Sequence, residues 1–157
     1  MGVLAYKYLD FPTLLVASIA IDVRATLVFF GLIEGPLHGF FHTFLGATVI
    51  ALSVAFLIGS VRDRIGYIME KLGISQDYGW SSILGASFIG AYSHIVLDAF
   101  LYDYLDVFYP FSLENPFYGI LSLFEVYILC TIAGIIGLTV LFQRIDRKAV
   151  KSLFVRK

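Results

Sequence analysis

The ionisable side chains of this sequence are few and lie where charges are costly. Asp22, Arg24, His42, His94, Asp98 and Glu125 fall within otherwise apolar stretches, and His38 stands just ahead of one of them. Imidazoles and carboxylates are ligands for divalent metals, and the same groups can carry protons through a membrane. His94 and Asp98 are four residues apart, so a helix would set them on one face, continued by Ser87, Gly90 and Ala91. His38 and His42 repeat that spacing, extended by Gly46 and Ser53; Ser18, Asp22 and Thr26 would align likewise, and Ser122 lies one turn from Glu125. Asp22 and Arg24, only two apart, point to different helical faces and do not form a local pair.

The elements that must carry these residues follow from composition. Of 157 residues, 59% are hydrophobic and only 15% charged, and the mean hydropathy is +0.87. A soluble domain has roughly 45–50% apolar and about 25% charged residues, so this excess calls for lipid as solvent. Crossing helices need about 20 mostly apolar residues. Four such spans are predicted, at about 12–32, 39–59, 80–101 and 117–142, forming one all-α polytopic membrane domain over 1–157 with a basic tail at 143–157. No removable signal peptide is expected, and a net charge of −1 offers no basic surface for nucleic acid. Cys130 is the only cysteine, so no internal disulfide forms.

Between the second and third spans, Ile65, Ile68, Met69 and Leu72 recur at helical spacing ahead of Gly73. This predicts a short amphipathic helix on the membrane surface within Val61–Tyr78. Ten of the eleven basic residues, from Lys7 and Arg62 to the 144–157 tail, fall on one side of the four spans. The opposite connections hold Glu34, Asp103, Asp106 and Glu114 without lysine or arginine. Positive-inside bias therefore places both termini in the cytoplasm. Counted from the outer ends, His42, Asp98, His94, Glu125 and Asp22 lie progressively deeper, from roughly 5 to 15 Å. Two histidines and two or three carboxylates converging from four helices could hold a divalent metal.

At these positions the chain resembles the membrane-bound metal-dependent hydrolases (YdjM-like). The resemblance runs through Leu37-His38-Gly39-Phe40-Phe41-His42-Thr43, Ser93-His94-Ile95-Val96-Leu97-Asp98, Tyr109-Pro110-Phe111-Ser112 and Asn115-Pro116-Phe117. Members of that family show an early Pro-Asp-x-Asp, a His-Arg-Gly-x-x-His-Ser and a Ser-His-x-x-x-Asp leading to a Pro-Phe turn. Here Arg24 replaces the second acid of the first motif, Leu37 replaces the first histidine of the second, and His38 stands at its arginine position. Carried over residue by residue, the resemblance implies Asp22, His42, His94 and Asp98 as metal ligands, with His38 and Asp103 as further candidates. It also implies a metal-dependent hydrolase; by donor chemistry imidazole and carboxylate suit zinc, more oxygen ligands would favour manganese or magnesium, and the metal would activate a bound water.

Glu125 is the expected general base. The depth of the site points to a lipid ester or phosphoester reached from the bilayer. Two other function classes remain open at this stage: a proton- or ion-handling protein, and a structural partner subunit or oligomer whose helix contacts are eased by Gly85, Gly90, Gly134 and Gly137.

Overall fold

The computed structural model describes residues 8–71, 76 and 79–144. Among them every regular element is helical: α1 (Phe11–Ala20), α2 (Val23–Phe29), a 3-10 turn at Phe40–His42, α3 (Phe44–Lys71), α4 (Trp80–Leu101) and α5 (Leu123–Arg144). Four stretches are long and apolar enough to cross a membrane, namely Phe11–Phe29, Phe44–Lys71, Trp80–Leu101 and Leu123–Gln143. The all-α, four-span architecture read from the sequence is the one observed. Three of its boundaries differ in ways that matter for the site.

The first span is two helices. Asp10 caps α1, accepting from the Thr13 backbone N–H at 3.1 Å and from its hydroxyl at 2.7 Å. Pro12 sits in the opening turn, where a missing N–H is harmless. The helix stops after Ala20, Ile21 and Asp22 form a turn, and α2 restarts with Thr26 N donating to the Asp22 carbonyl at 2.8 Å. Asp22 therefore stands at a joint rather than in mid-helix.

The second span begins at Phe44, not Gly39. Its 28 residues make a helix of about 42 Å, longer than a hydrocarbon core of about 30 Å. The Val61–Lys71 segment is helical as expected, but as the continuation of α3 and not as a separate element. Leu72, Gly73 and Tyr78 lie outside the described residues. At this far end Arg62 reaches the fully buried Asp10 carboxylate at 2.7 Å and donates to the Gln76 carbonyl, tying α3 to the start of α1.

The core lies between α1, α3 and α4. Ile21, Ala47, Ala51, Ala91, Ile95 and Ala99 are wholly buried there, closed off by Leu105 and Val107 from the loop after α4. Ser87, Gly90 and Ala91 turn inward, as the small and polar stripe on α4 predicts. The fourth helix begins at Leu123, the residues from Phe117 to Leu121 being turns and bends. Of its described side chains only Val126 is buried, and α5 stands mostly clear of the bundle.

Candidate metal centre

Three local devices bring four candidate ligand side chains to one end of the bundle. The joint in the first span turns Asp22 inward. On α4, helical spacing stacks His94 and Asp98. His42 is set by the 3-10 turn, which is folded tightly against α3: a Cβ on Gly46 would sit 2.0 Å from the Phe40 carbonyl oxygen, so only glycine permits the approach. Thr43 then caps α3, its hydroxyl accepting from Gly46 N at 2.9 Å while donating to the Phe40 carbonyl at 2.8 Å. Phe44 N donates to the Val107 carbonyl at 2.9 Å, fastening this turn to the loop that follows α4.

The ligand atoms of Asp22, His42, His94 and Asp98 all lie within 4.8 Å of one another. His42 Nε2 is 3.2 Å from Asp22 Oδ1 and 3.6 Å from Asp98 Oδ2; His94 Nε2 is 3.4 Å and 3.1 Å from the same two oxygens. Zinc held tetrahedrally at about 2.0–2.1 Å spaces its ligands about 3.3 Å apart; the four histidine–aspartate separations are close to that, within a cluster that spreads up to 4.8 Å. His94 Nε2 is buried facing both carboxylate oxygens without an aligned hydrogen bond, a place where a cation could stand in for a proton. Donor chemistry and the convergence of the four groups thus fit a divalent metal. His42 is 1% exposed, whereas the Asp22 side chain is 47% exposed, so the group is closed on one flank and open on the other.

The remaining candidates are elsewhere. His38 does not join the four: its ring packs edge-on to that of His42 at 4.6 Å, and its Nδ1 is 2.9 Å from the Tyr104 hydroxyl. Burial pushes the His38 imidazole below its ordinary pKa, and a neutral ring can accept the tyrosine proton. Asp103 is exposed in the turn after α4.

Glu125, expected as general base, is a helix cap. Its carboxylate accepts from Ser122 N at 2.8 Å and from the Ser122 hydroxyl at 2.7 Å, and Ser122 Oγ accepts from Glu125 N at 3.3 Å. This reciprocal pair is a capping box, exposed at the start of α5. The His38/His42/Gly46/Ser53 stripe also does not form, because His42 precedes the helix and Ser53 faces outward.

Two supports were not anticipated. Arg24 turns away from the carboxylates, and its guanidinium donates to the Pro36 carbonyl. The loop closes on it so tightly that a Cβ on Gly39 would lie 2.9 Å from Nη1. Where the family motif carries a second acid, this chain thus has a strap for the loop leading to His42. Asn115 donates from Nδ2 to the carbonyls of Ala99 and Tyr102, each at 2.8 Å, satisfying the open end of α4 just past Asp98. The Ser-x-x-Glu spacing could have revealed the capping box in advance; nothing in the sequence signals the reach of Arg24 or Asn115.

The fold and site define a multi-pass helical membrane protein with a two-histidine, two-aspartate cluster at one end of its bundle, a group that could bind a metal ion. The chain belongs to the YdjM inner membrane protein family, whose model matches residues 5–155. No curated protein and no solved structure matches it.

Proposed function

We propose that this protein is a membrane-embedded metal-dependent hydrolase acting on a lipid ester or phosphoester. The observation that carries this reading is the convergence of two imidazole nitrogens and two carboxylate oxygens, from Asp22, His42, His94 and Asp98, to within 4.8 Å of one another at one end of the bundle. A bound divalent cation, zinc in first place and manganese or magnesium otherwise, would acidify a water and polarise the scissile carbonyl or phosphoryl group. The chain's own residues do the rest. His42, His94 and Asp98 hold the inner side of the centre, and Asp22 marks the flank a substrate can reach. His38 and Tyr104 border the polar approach.

With both termini in the cytoplasm, as the basic residues favour, the centre lies in the outer half of the bilayer of a single membrane domain. Conduction of protons is less well supported. Between the cluster and the Asp10–Arg62 pair the core is Ala17, Ala51, Val54 and Ile58, and the Ser87 hydroxyl there is committed to the Ala51 carbonyl.

One specific observation favours a second reading, a purely structural metal: four protein ligands complete a tetrahedral zinc, whereas catalytic zinc keeps a position open. Elemental analysis of protein purified without chelator, joined to X-ray absorption of the bound metal, separates the two. A fifth, exchangeable oxygen ligand supports hydrolysis, four ligands alone support the structural role, and absence of metal overturns both.

A further inference from the structure

Two openings meet at the cluster. One is a polar cleft of about 360 Å³ lined by His42 together with His38, Tyr104, Asp106 and Tyr109. The other is a groove of about 300 Å³ bounded by Ala25, Thr26, Phe29, Phe30 and Leu37, with Asp22 as its one charged residue. Leu37 and His38 are neighbours in sequence, so the loop strapped by Arg24 is the wall between groove and cleft. Phe29 and Phe30 are 74% and 69% exposed on the outward flank of the first span. Asp22 Oδ1 is met from inside by His42 at 3.2 Å, yet the side chain stays 47% exposed at the end of this apolar groove, where the polar part of a molecule lying in the groove can reach it.

We propose that groove and cleft bind the two halves of one amphiphile: a single hydrocarbon tail in the groove, the polar head in the cleft, and the bond joining them at the cluster. This assignment rests on the hydrolytic reading above and specifies its substrate. In the reaction a water oxygen bonds to the carbonyl carbon or phosphorus, and the bond from that atom to the leaving oxygen breaks. The protons of the water end on the released alcohol and on the acid, which ionises. The head product departs through the cleft, and the tail product stays in the groove.

The test uses the full-length protein in nanodiscs, metal-free and zinc-loaded, with a lysophosphatidylcholine whose single acyl chain bears a mid-chain diazirine as the probe. After irradiation, crosslinks are mapped by mass spectrometry. Those at Phe29, Phe30 and Leu37 should exceed those at Phe124, which is 72% exposed at the same end of the bundle, by about tenfold. Thr26→Trp, and Ala25→Phe as a second filler, should remove that excess while leaving Phe124 labelling as it was. Equal labelling of groove and Phe124, or an excess that survives both fillers, overturns the proposal. Hydrolysis of the same lipid is read separately. A groove excess without turnover supports the tail site and overturns the hydrolytic reading instead.

Discussion

His94 and Asp98, one turn apart on α4, hold Nε2 and Oδ2 at 3.1 Å without an aligned hydrogen bond between them. Two polar atoms so close, and so poorly oriented for each other, are aimed at a shared third point. The neighbouring atoms of Asp22 and His42 converge on the same point from two other segments of the chain.

A metal at that point would stabilise the fold, because it binds the assembled cluster and not the unfolded chain. The gain is about 2.7 kcal/mol at a hundredfold excess over Kd. Chelator should lower the Tm of the wild type in detergent, and zinc should restore it. Asp98→Asn should melt low from the start and respond little to chelator. A wild type indifferent to chelator would count against the metal.

His42 and His38 should separate cleanly. His42→Ala removes a ligand atom and should lose bound metal in elemental analysis. His38→Ala removes a neighbouring ring that touches His42 and Tyr104, and should keep most of it. Equal losses would mean that the two histidines act together.

Arg24 should act on metal affinity from a distance. Arg24→Gln frees the Pro36–Gly39 strap and should weaken zinc binding about tenfold, the low end of losses seen when supports of a metal ligand are removed. Arg24→Lys should recover part of it. Gly39→Ala displaces the guanidinium and should mimic Arg24→Gln, and the double variant should cost little more than either alone. Calorimetric titration of metal-stripped protein measures all four.

The capping box makes a prediction opposite to a catalytic role for Glu125. Glu125→Gln retains an acceptor at the third helical position and should keep both metal content and any turnover. Ser122→Ala should destabilise the protein by about 1 kcal/mol, the usual cost of losing an N-cap hydroxyl. A loss of turnover in Glu125→Gln with unchanged metal would return that residue to the reaction.

Sidedness can be read with cysteines in a Cys130→Ser background. A cysteine at Glu114 should react with an impermeant reagent from outside intact cells, and one at Lys71 should not. The reverse pattern would move the cluster to the inner half of the membrane.

Much of this was legible in the sequence, for reasons visible at particular residues. Twenty-odd apolar residues in a row admit little but a crossing helix, so the spans could be read from composition and length. His94 and Asp98 were paired correctly because their ligand geometry depends only on helical spacing. His42 and Asp22, named by motif, do lie beside that pair, but in backbone settings other than the helices expected for them. A 3-10 turn and a joint between two helices leave no periodic trace, and nothing near Asp22 announces the break at Ile21. Glu125, expected as general base, stands in a capping box, and the Ser122-x-x-Glu125 spacing is the local signal that marks it. The buried Asp10–Arg62 pair joins residues 52 positions apart, and no local pattern encodes such a meeting.

The isolation of α5 bears on how the protein can be altered. Every residue of the cluster, the Arg24 strap and the Asn115 cap precede Ser122, and among the described residues beyond it only Val126 is drawn into the interior. The fourth span is therefore an outrigger whose identity is nearly free. An unrelated crossing segment grafted after Ser122 should leave the centre intact, and a chain cut in that junction should reassemble from two separately expressed pieces.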